Sequence, residues 1–218
     1  MNELGVRYMN KYNIADIKKR VYGIERVLDL AYFLGIIITI ILFITVIAIS
    51  PSPYGRFDAI KGNSDWLLSY KYQNNSSLNL SMPFYIIQPL DKRMFVAKSA
   101  FLTLLIESIV IKAPLILYGI KQGINIIGVI NTASTPFSTK SVRCLKHLSF
   151  VIILYSLFGD TLLSLMCWIF VTKIFLLNLQ VIHIGGVIIG VVILALSAIF
   201  EYGVYLQNEL DEKDNTLL

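Results

Sequence analysis

Charge is scarce in this chain, and so are the residues that build metal and redox sites. Asp, Glu, Lys and Arg make up 15% of its 218 residues, against about 25% in typical soluble domains. There are two histidines, His147 and His183, and two cysteines, Cys144 and Cys167. The histidines form no HExxH or other i,i+4 pair, and neither cysteine joins a CxxC pair or a Cys/His cluster, so no metal site is expected. Both cysteines fall on one expected helix, roughly 35 Å apart at about 1.5 Å per residue, which excludes a disulfide between them. P-loop, GxGxxG, EF-hand and intramembrane-protease patterns are missing, so the expectation is a non-enzyme without cofactors. No basic stripe interleaved with aromatics occurs in a polar segment, which argues against direct binding of DNA or RNA.

What the chain has in excess is apolar surface. Hydrophobic residues reach 56% and the mean hydropathy is +0.69, above the roughly 45–50% of soluble domains. A bilayer resolves that excess, because lipid-facing side chains are meant to be apolar. The net charge of +5 then reads as a topology signal and as attraction to anionic lipid.

Residues 1–29 are basic and polar, and Ile14, Ile17, Val21, Ile24 and Leu28 recur at helical spacing. This predicts an amphipathic cytoplasmic helix, with Asn13 as its N-cap and Asp16 in its first turn. Its stripe would lie on the headgroups or pack on the protein's own helices. Span one covers 31–49, with no charge and a strong bias to Ile. Nineteen residues at about 1.5 Å each reach roughly 29 Å, close to the hydrocarbon thickness. That stretch is too long for a signal-peptide core, so it should remain as an anchor. Ser50-Pro51-Ser52-Pro53 stops the helix.

The connection 51–93 is polar. Alternation around Ser69-Tyr70-Lys71-Tyr72 and Leu78-Asn79-Leu80-Ser81-Met82 would permit a short hairpin. Span two covers about 95–118, interrupted by Glu107 and Lys112, with Pro114 behind them and a helical continuation to Ile130. Ser138 is the expected N-cap of the next helix. Span three covers about 148–171 with Asp160 in its middle, and span four about 179–200. Gly185, Gly186 and Gly190 in span four would let a neighbour approach closely. The domain plan is therefore a basic segment 1–29, a four-helix membrane domain 30–210, and an acidic tail 211–218. The predicted fold class is all-α, an integral membrane protein of four transmembrane helices. Eleven basic residues would face inward and six outward, which favours both ends in the cytoplasm of a bacterial cell.

Glu107 and Asp160 lie deep in spans two and three, where a charge costs at least about 2.5–3.5 kcal/mol. With Lys112 they form either a polar cluster that binds a cation, a proton or a polar ligand, or a self-satisfied trio. In the trio, Lys112 neutralises one carboxylate, and Ser108, Thr161 or Ser164 bonds the other. His147 and His183 read as interfacial residues. Arg143, Lys146, Glu201, Glu209 and Asp211 outline a cytoplasmic surface that would dock a partner, the alternative being a solvated helix end pairing with the basic segment.

Two stretches carry a resemblance. One is Pro136-Phe137-Ser138 followed by Val142-Arg143-Cys144-Leu145. The other is Phe200-Glu201-Tyr202-Gly203-Val204-Tyr205-Leu206-Gln207-Asn208-Glu209. Both are similar to the bacterial four-helix membrane family catalogued as a domain of unknown function (the 2975 family), although Cys144 stands where a second basic residue is usual. The resemblance implies a bacterial membrane protein without an assigned reaction, of a kind often encoded beside a small helix-turn-helix regulator. Three functional expectations follow: a sensor relaying to such a cytoplasmic regulator, an immunity protein that meets a secreted membrane-active peptide (a bacteriocin) on 51–93, or a small transporter. The transporter would use Glu107, Lys112 and Asp160 and need a homo-oligomer.

Overall fold

The computed structural model describes residues 3–72, 76–87, 95–132, 137–173 and 182–216; the side chains of 3–18, 132, 211 and 214–216 lie outside that description. Four helical stretches are long and apolar enough to cross a membrane: Lys19–Ile49, Ala97–Asn131, Thr139–Thr172 and Ile184–Leu210. The molecule is a multi-pass membrane protein by architecture. The expected start of span four near residue 179 lies outside the described residues.

Helix α1 runs from Glu3 to Ile49 without a break. It passes straight through Asn13, so that residue does not cap a separate helix; the basic segment is the extension of the first span. The helix stops where the prolines require: Ser50 N–H still bonds Val46 O at 2.9 Å, and Pro53 is extended, since proline has no amide hydrogen to continue the ladder. The second crossing is α2 (Ala97–Glu107), a wide turn at Ser108–Lys112, and α3 (Ala113–Thr132). It therefore extends well beyond Tyr118. Helix α4 spans Thr139–Cys167, and Ser138 caps it as expected, its Oγ accepting from Ser141 N–H at 3.1 Å. The helix passes through a second wide turn at Trp168–Thr172 and ends at Lys173, which is left-handed at φ 56°. Helix α5 covers Ile184–Thr216.

The expectation of an all-α chain is corrected by a sheet. Strands β1 (Phe57–Lys61), β2 (Asp65–Lys71) and β3 (Ser77–Pro83) pair antiparallel in that order. The permitted hairpin is real, with Ser69 opposite Asn79 and Tyr70 opposite Leu78. β1 joins it through Phe57 opposite Tyr70 and Lys61 opposite Trp66. A period of two puts Trp66, Leu68 and Tyr70 on one face, and all three are buried.

The chain divides into two compact units. One comprises Ile36–Ile116 and Ile152–Ile188 and contains the sheet. Its core joins the buried sheet face to Ile49, Ala100, Phe101, Leu105, Leu163 and Cys167. Trp66 stacks on Phe95 with centroids 4.7 Å apart, and its indole N–H donates to Ile87 O at 3.1 Å. Tyr70 bonds Ser52 at 2.9 Å beside the proline turn. A polar tip on an apolar ring needs a partner when buried, and both rings find one.

The other unit comprises Met1–Gly35, Leu117–Val151 and Ile189–Leu218. Here Asn131 Nδ2 donates to Glu25, and Lys121 lies over the Tyr32 ring at 5.6 Å. Both cysteines, Cys144 in this unit and Cys167 in the sheet-bearing one, are free and buried on the same helix.

Candidate functional site

Glu107 is the last residue of α2, and its side chain is 0% exposed. Five residues later, Lys112 Nζ lies 2.9 Å from Glu107 Oε2. In a regular α-helix, residues five apart point about 140° away from each other. One turn of i→i+5 geometry brings them nearly into line, and that is the geometry of Ser108–Lys112, with Ala113 N–H bonded to Ser108 O. Pro114 supplies a reason for the wide turn. Its ring would collide with the carbonyl four residues earlier, and it has no hydrogen for that bond.

The contact is an ion pair by distance but not a directed hydrogen bond. Neither Glu107 oxygen meets a well-aligned donor among the described residues. Among the described residues, charge alone compensates this carboxylate. Ser108 does not help, because its hydroxyl donates to Leu104 O at 2.9 Å.

Asp160 on α4 is buried as well, with a different set of partners. Its Oδ2 accepts from Tyr85 Oη at 3.1 Å and lies 2.8 Å from His183 Nε2. Thr161 is turned away and donates to Leu157 O at 3.4 Å. Burial, with the Asp160 carboxylate next, pushes the Tyr85 phenol above its ordinary value. His183 is held from its backbone side: its N–H bonds Ser156 O at 3.0 Å, and its carbonyl accepts from Gly186 N–H at 3.0 Å and Val187 N–H at 3.2 Å in the first turn of α5. α5 comes close to α4 at Gly186, where a Cβ would collide with Ser156 Oγ and stand 3.0 Å from its Cβ. Tyr155 on α4 lies within electrostatic reach of Glu107, Lys112 and Asp160, and Asp160 within reach of the Glu107–Lys112 pair.

The expected trio is thus two linked pairs. Glu107 has Lys112, and Asp160 has His183 and Tyr85. His183, read as interfacial, is an Asp160 partner, and His147 meets the Tyr118 hydroxyl at 3.1 Å. Spacing along the chain gave no sign of these partners, since Tyr85 and His183 lie 75 and 23 residues from Asp160. The pairing of Pro114 with an i,i+5 acid and base was the one local signal of a wide turn.

The docking-surface residues lie in the other unit. Lys146 Nζ bonds both oxygens of Glu201 at 2.9 Å. Arg143 is exposed, Glu209 pairs with Lys213 at 3.2 Å, and the side chain of Asp211 lies outside the described residues. The two motif stretches meet here. The Phe137 ring packs edge-on to Phe200 at 5.3 Å and lies over Gly203, where a Cβ would come within 2.5 Å of it. The glycine is a socket for the phenylalanine, and the Lys146–Glu201 pair joins the same two helices.

Four membrane-length helices, a small sheet and two partnered acids inside the spans, one of them ion-paired, fit a polytopic membrane protein with a buried polar site. A family profile, protein of unknown function (DUF2975), matches residues 79–212. The chain belongs to that family. No curated protein and no solved structure matches it.

Proposed function

We propose that this chain is a non-enzymatic sensor in the bacterial cytoplasmic membrane, with both termini inside, which receives a signal at Glu107 and passes it to a cytoplasmic protein. The observation that carries this reading is Glu107 itself: fully buried in a span, ion-paired to Lys112, and without a directed donor among the described residues. A charge held this way is worth several kcal/mol and is sensitive to any change in its counter-ion. It also sits on a wide turn, a geometry frequent at functional sites and able to revert to regular helix. Such an element has two arrangements that a ligand can bias.

The receiving partner would dock on the surface around Arg143, Lys146, Glu201, Glu209 and Asp211, which carries both charge signs. Crosslinking in the native host, with mass spectrometry of what is captured, tests this. The expected product joins a helix-turn-helix or similar cytoplasmic protein to residues 201–218, in an amount that changes in Glu107→Gln. Capture unaffected by Glu107→Gln, or no cytoplasmic protein at all, would overturn it.

A second reading is immunity to a secreted peptide, favoured by the side chains that the sheet and its entry turn expose. Tyr54, Ile60 and Leu67 present apolar surface there. If an expressing strain is no less sensitive to such peptides than a strain with the empty vector, that reading is lost.

A further inference from the structure

Helix α1 ends at Ile49 and α2 begins at Ala97, and Ile49, Ala100 and Phe101 share a core with the buried face of the sheet. A sheet that exposes Lys61, Lys71, Ser77, Asn79 and Ser81 and has open edges does not lie in hydrocarbon. The turn after Ile49 and the first turn of α2 therefore stand where the chain leaves the bilayer, at the depth of the lipid headgroups.

Two cations are held at this level. Lys98 reaches from α2 to the turn: its Nζ donates to Ser52 O at 2.8 Å and lies 4.8 Å from the centroid of the Tyr54 ring and 5.9 Å from that of Phe57. Arg56 closes the one-turn helix Tyr54–Arg56, its N–H bonding Pro53 O at 3.1 Å. Both side chains are half-buried, and among the described residues neither has a carboxylate partner. Asp58, the acid next along the chain, is engaged by Lys71 at 3.2 Å and by the Ala59 amide at 2.9 Å. An ammonium has three donors. Lys98 gives one to a carbonyl and sits by two rings, whose faces attract a cation but carry no net charge.

We infer that this turn binds the phosphate of an anionic lipid in the leaflet on the sheet side. The inference goes beyond the sensor reading and does not depend on Glu107. A phosphodiester supplies the missing negative charge and the acceptor oxygens, in charge-assisted bonds stronger than neutral ones. A lipid brings that group to this depth as part of the bilayer. Tyr54, 68% exposed, has the amphipathic ring typical of the interface, and Phe43, Ile44 and Ile47 present apolar surface in the last two turns of α1 for acyl chains.

The full chain in nanodiscs of equal phosphatidylcholine and phosphatidylglycerol, released into native mass spectrometry, tests this. The expected result is phosphatidylglycerol retained on the wild type in preference to phosphatidylcholine. Lys98→Gln should weaken that retention about tenfold, the scale of one hydrogen bond to a charged group, and Lys98→Arg should keep it. If Lys98→Gln fails to fold for want of its bond to Ser52, Tyr54→Glu, at an exposed position, sets a carboxylate beside Lys98 and should give the same loss. No preference in the wild type, or one that survives both Lys98→Gln and Tyr54→Glu, would overturn the inference. Soluble glycerol phosphate should leave the lipid in place; if it displaces the lipid, the site takes the free phosphate and the lipid is overturned as its occupant.

Discussion

Replacing Lys112 with methionine should damage this protein more than neutralising Glu107, although the two form one pair. Glu107 is fully buried, while the Lys112 side chain keeps 36% of its exposure. Lys112→Met leaves an anion inside a membrane span with no counter-charge at hand, because Ser108 is committed to Leu104 O and Asp160 is itself an acid. Removing one partner of a buried pair costs about 3–5 kcal/mol. Glu107→Gln leaves an ammonium on a long, flexible stem that is 36% exposed and can lean toward an interface, so it should cost less than Lys112→Met, though still more than an exposed surface pair. The double variant has no buried charge and should recover most of the loss, giving a large interaction energy in the cycle. Unfolding in mixed micelles with increasing denaturing detergent measures all four proteins. Equal costs for the two single variants, or a double variant as unstable as Lys112→Met, would refute the reasoning.

Four further outcomes follow from the structure. Gly203→Ala places a methyl 2.5–2.9 Å from three atoms of the Phe137 ring, one of them Cγ near its root; overpacking of this kind costs about 1–3 kcal/mol, and detergent unfolding should show most of it recovered when Phe137 is also replaced by Ala. Gly186→Ala sets a methyl against Ser156 Oγ, so Ser156 must give up its bond to Ile152 O or α5 must shift, and either should move the NMR signals of His183, whose N–H bonds Ser156 O. The Lys146–Glu201 pair has side chains 44% and 59% exposed, so either single charge reversal should change stability by less than about 1 kcal/mol, and the exchanged pair should restore what is lost. The Tyr85 phenol lies above its ordinary value of 10.0, so its hydrogen bond to Asp160 should contribute fully below that pH and be lost as pH rises through its higher folded value; alkaline unfolding of Tyr85→Phe should show no such loss.

Much of this architecture could be read along the chain because a bilayer imposes simple rules. A span needs about twenty apolar residues, and 31–49 states that plainly. Pro51 and Pro53 end the first helix where α1 ends, and Ser138 begins the third crossing where its hydroxyl accepts Ser141 N–H. The sheet was half visible. β3 alternates cleanly and β2 does so only from Ser69 to Lys71, but β1 (Phe-Asp-Ala-Ile-Lys) has too short a pattern, and it is strand pairing that completes it. Its apolar face is decided by Phe101 and Tyr70, which lie in other elements.

The site was legible in its acids and not in its partners. Glu107, Lys112 and Asp160 stand out because ionisable groups are rare in spans. Their grouping into two pairs depends on a local widening of the helix and on contacts far apart in sequence. A helical wheel at 100° per residue separates Glu107 from Lys112; only the wide turn before Pro114 brings them together. Gly186 and Gly203 look alike in sequence, as small residues in an apolar helix, but one seats a serine of α4 and the other a phenylalanine ring.

The proposed orientation, with both termini inside, puts the sheet and the end of α5 on opposite sides of the membrane, and labelling of single cysteines in intact cells tests it most directly. In a chain without Cys144 and Cys167, Asn79→Cys on the exposed side of β3 should react with an impermeant maleimide in whole cells. Glu212→Cys in the exposed end of α5 should react only after permeabilisation. The reverse pattern would place the sheet in the cytoplasm and contradict the account.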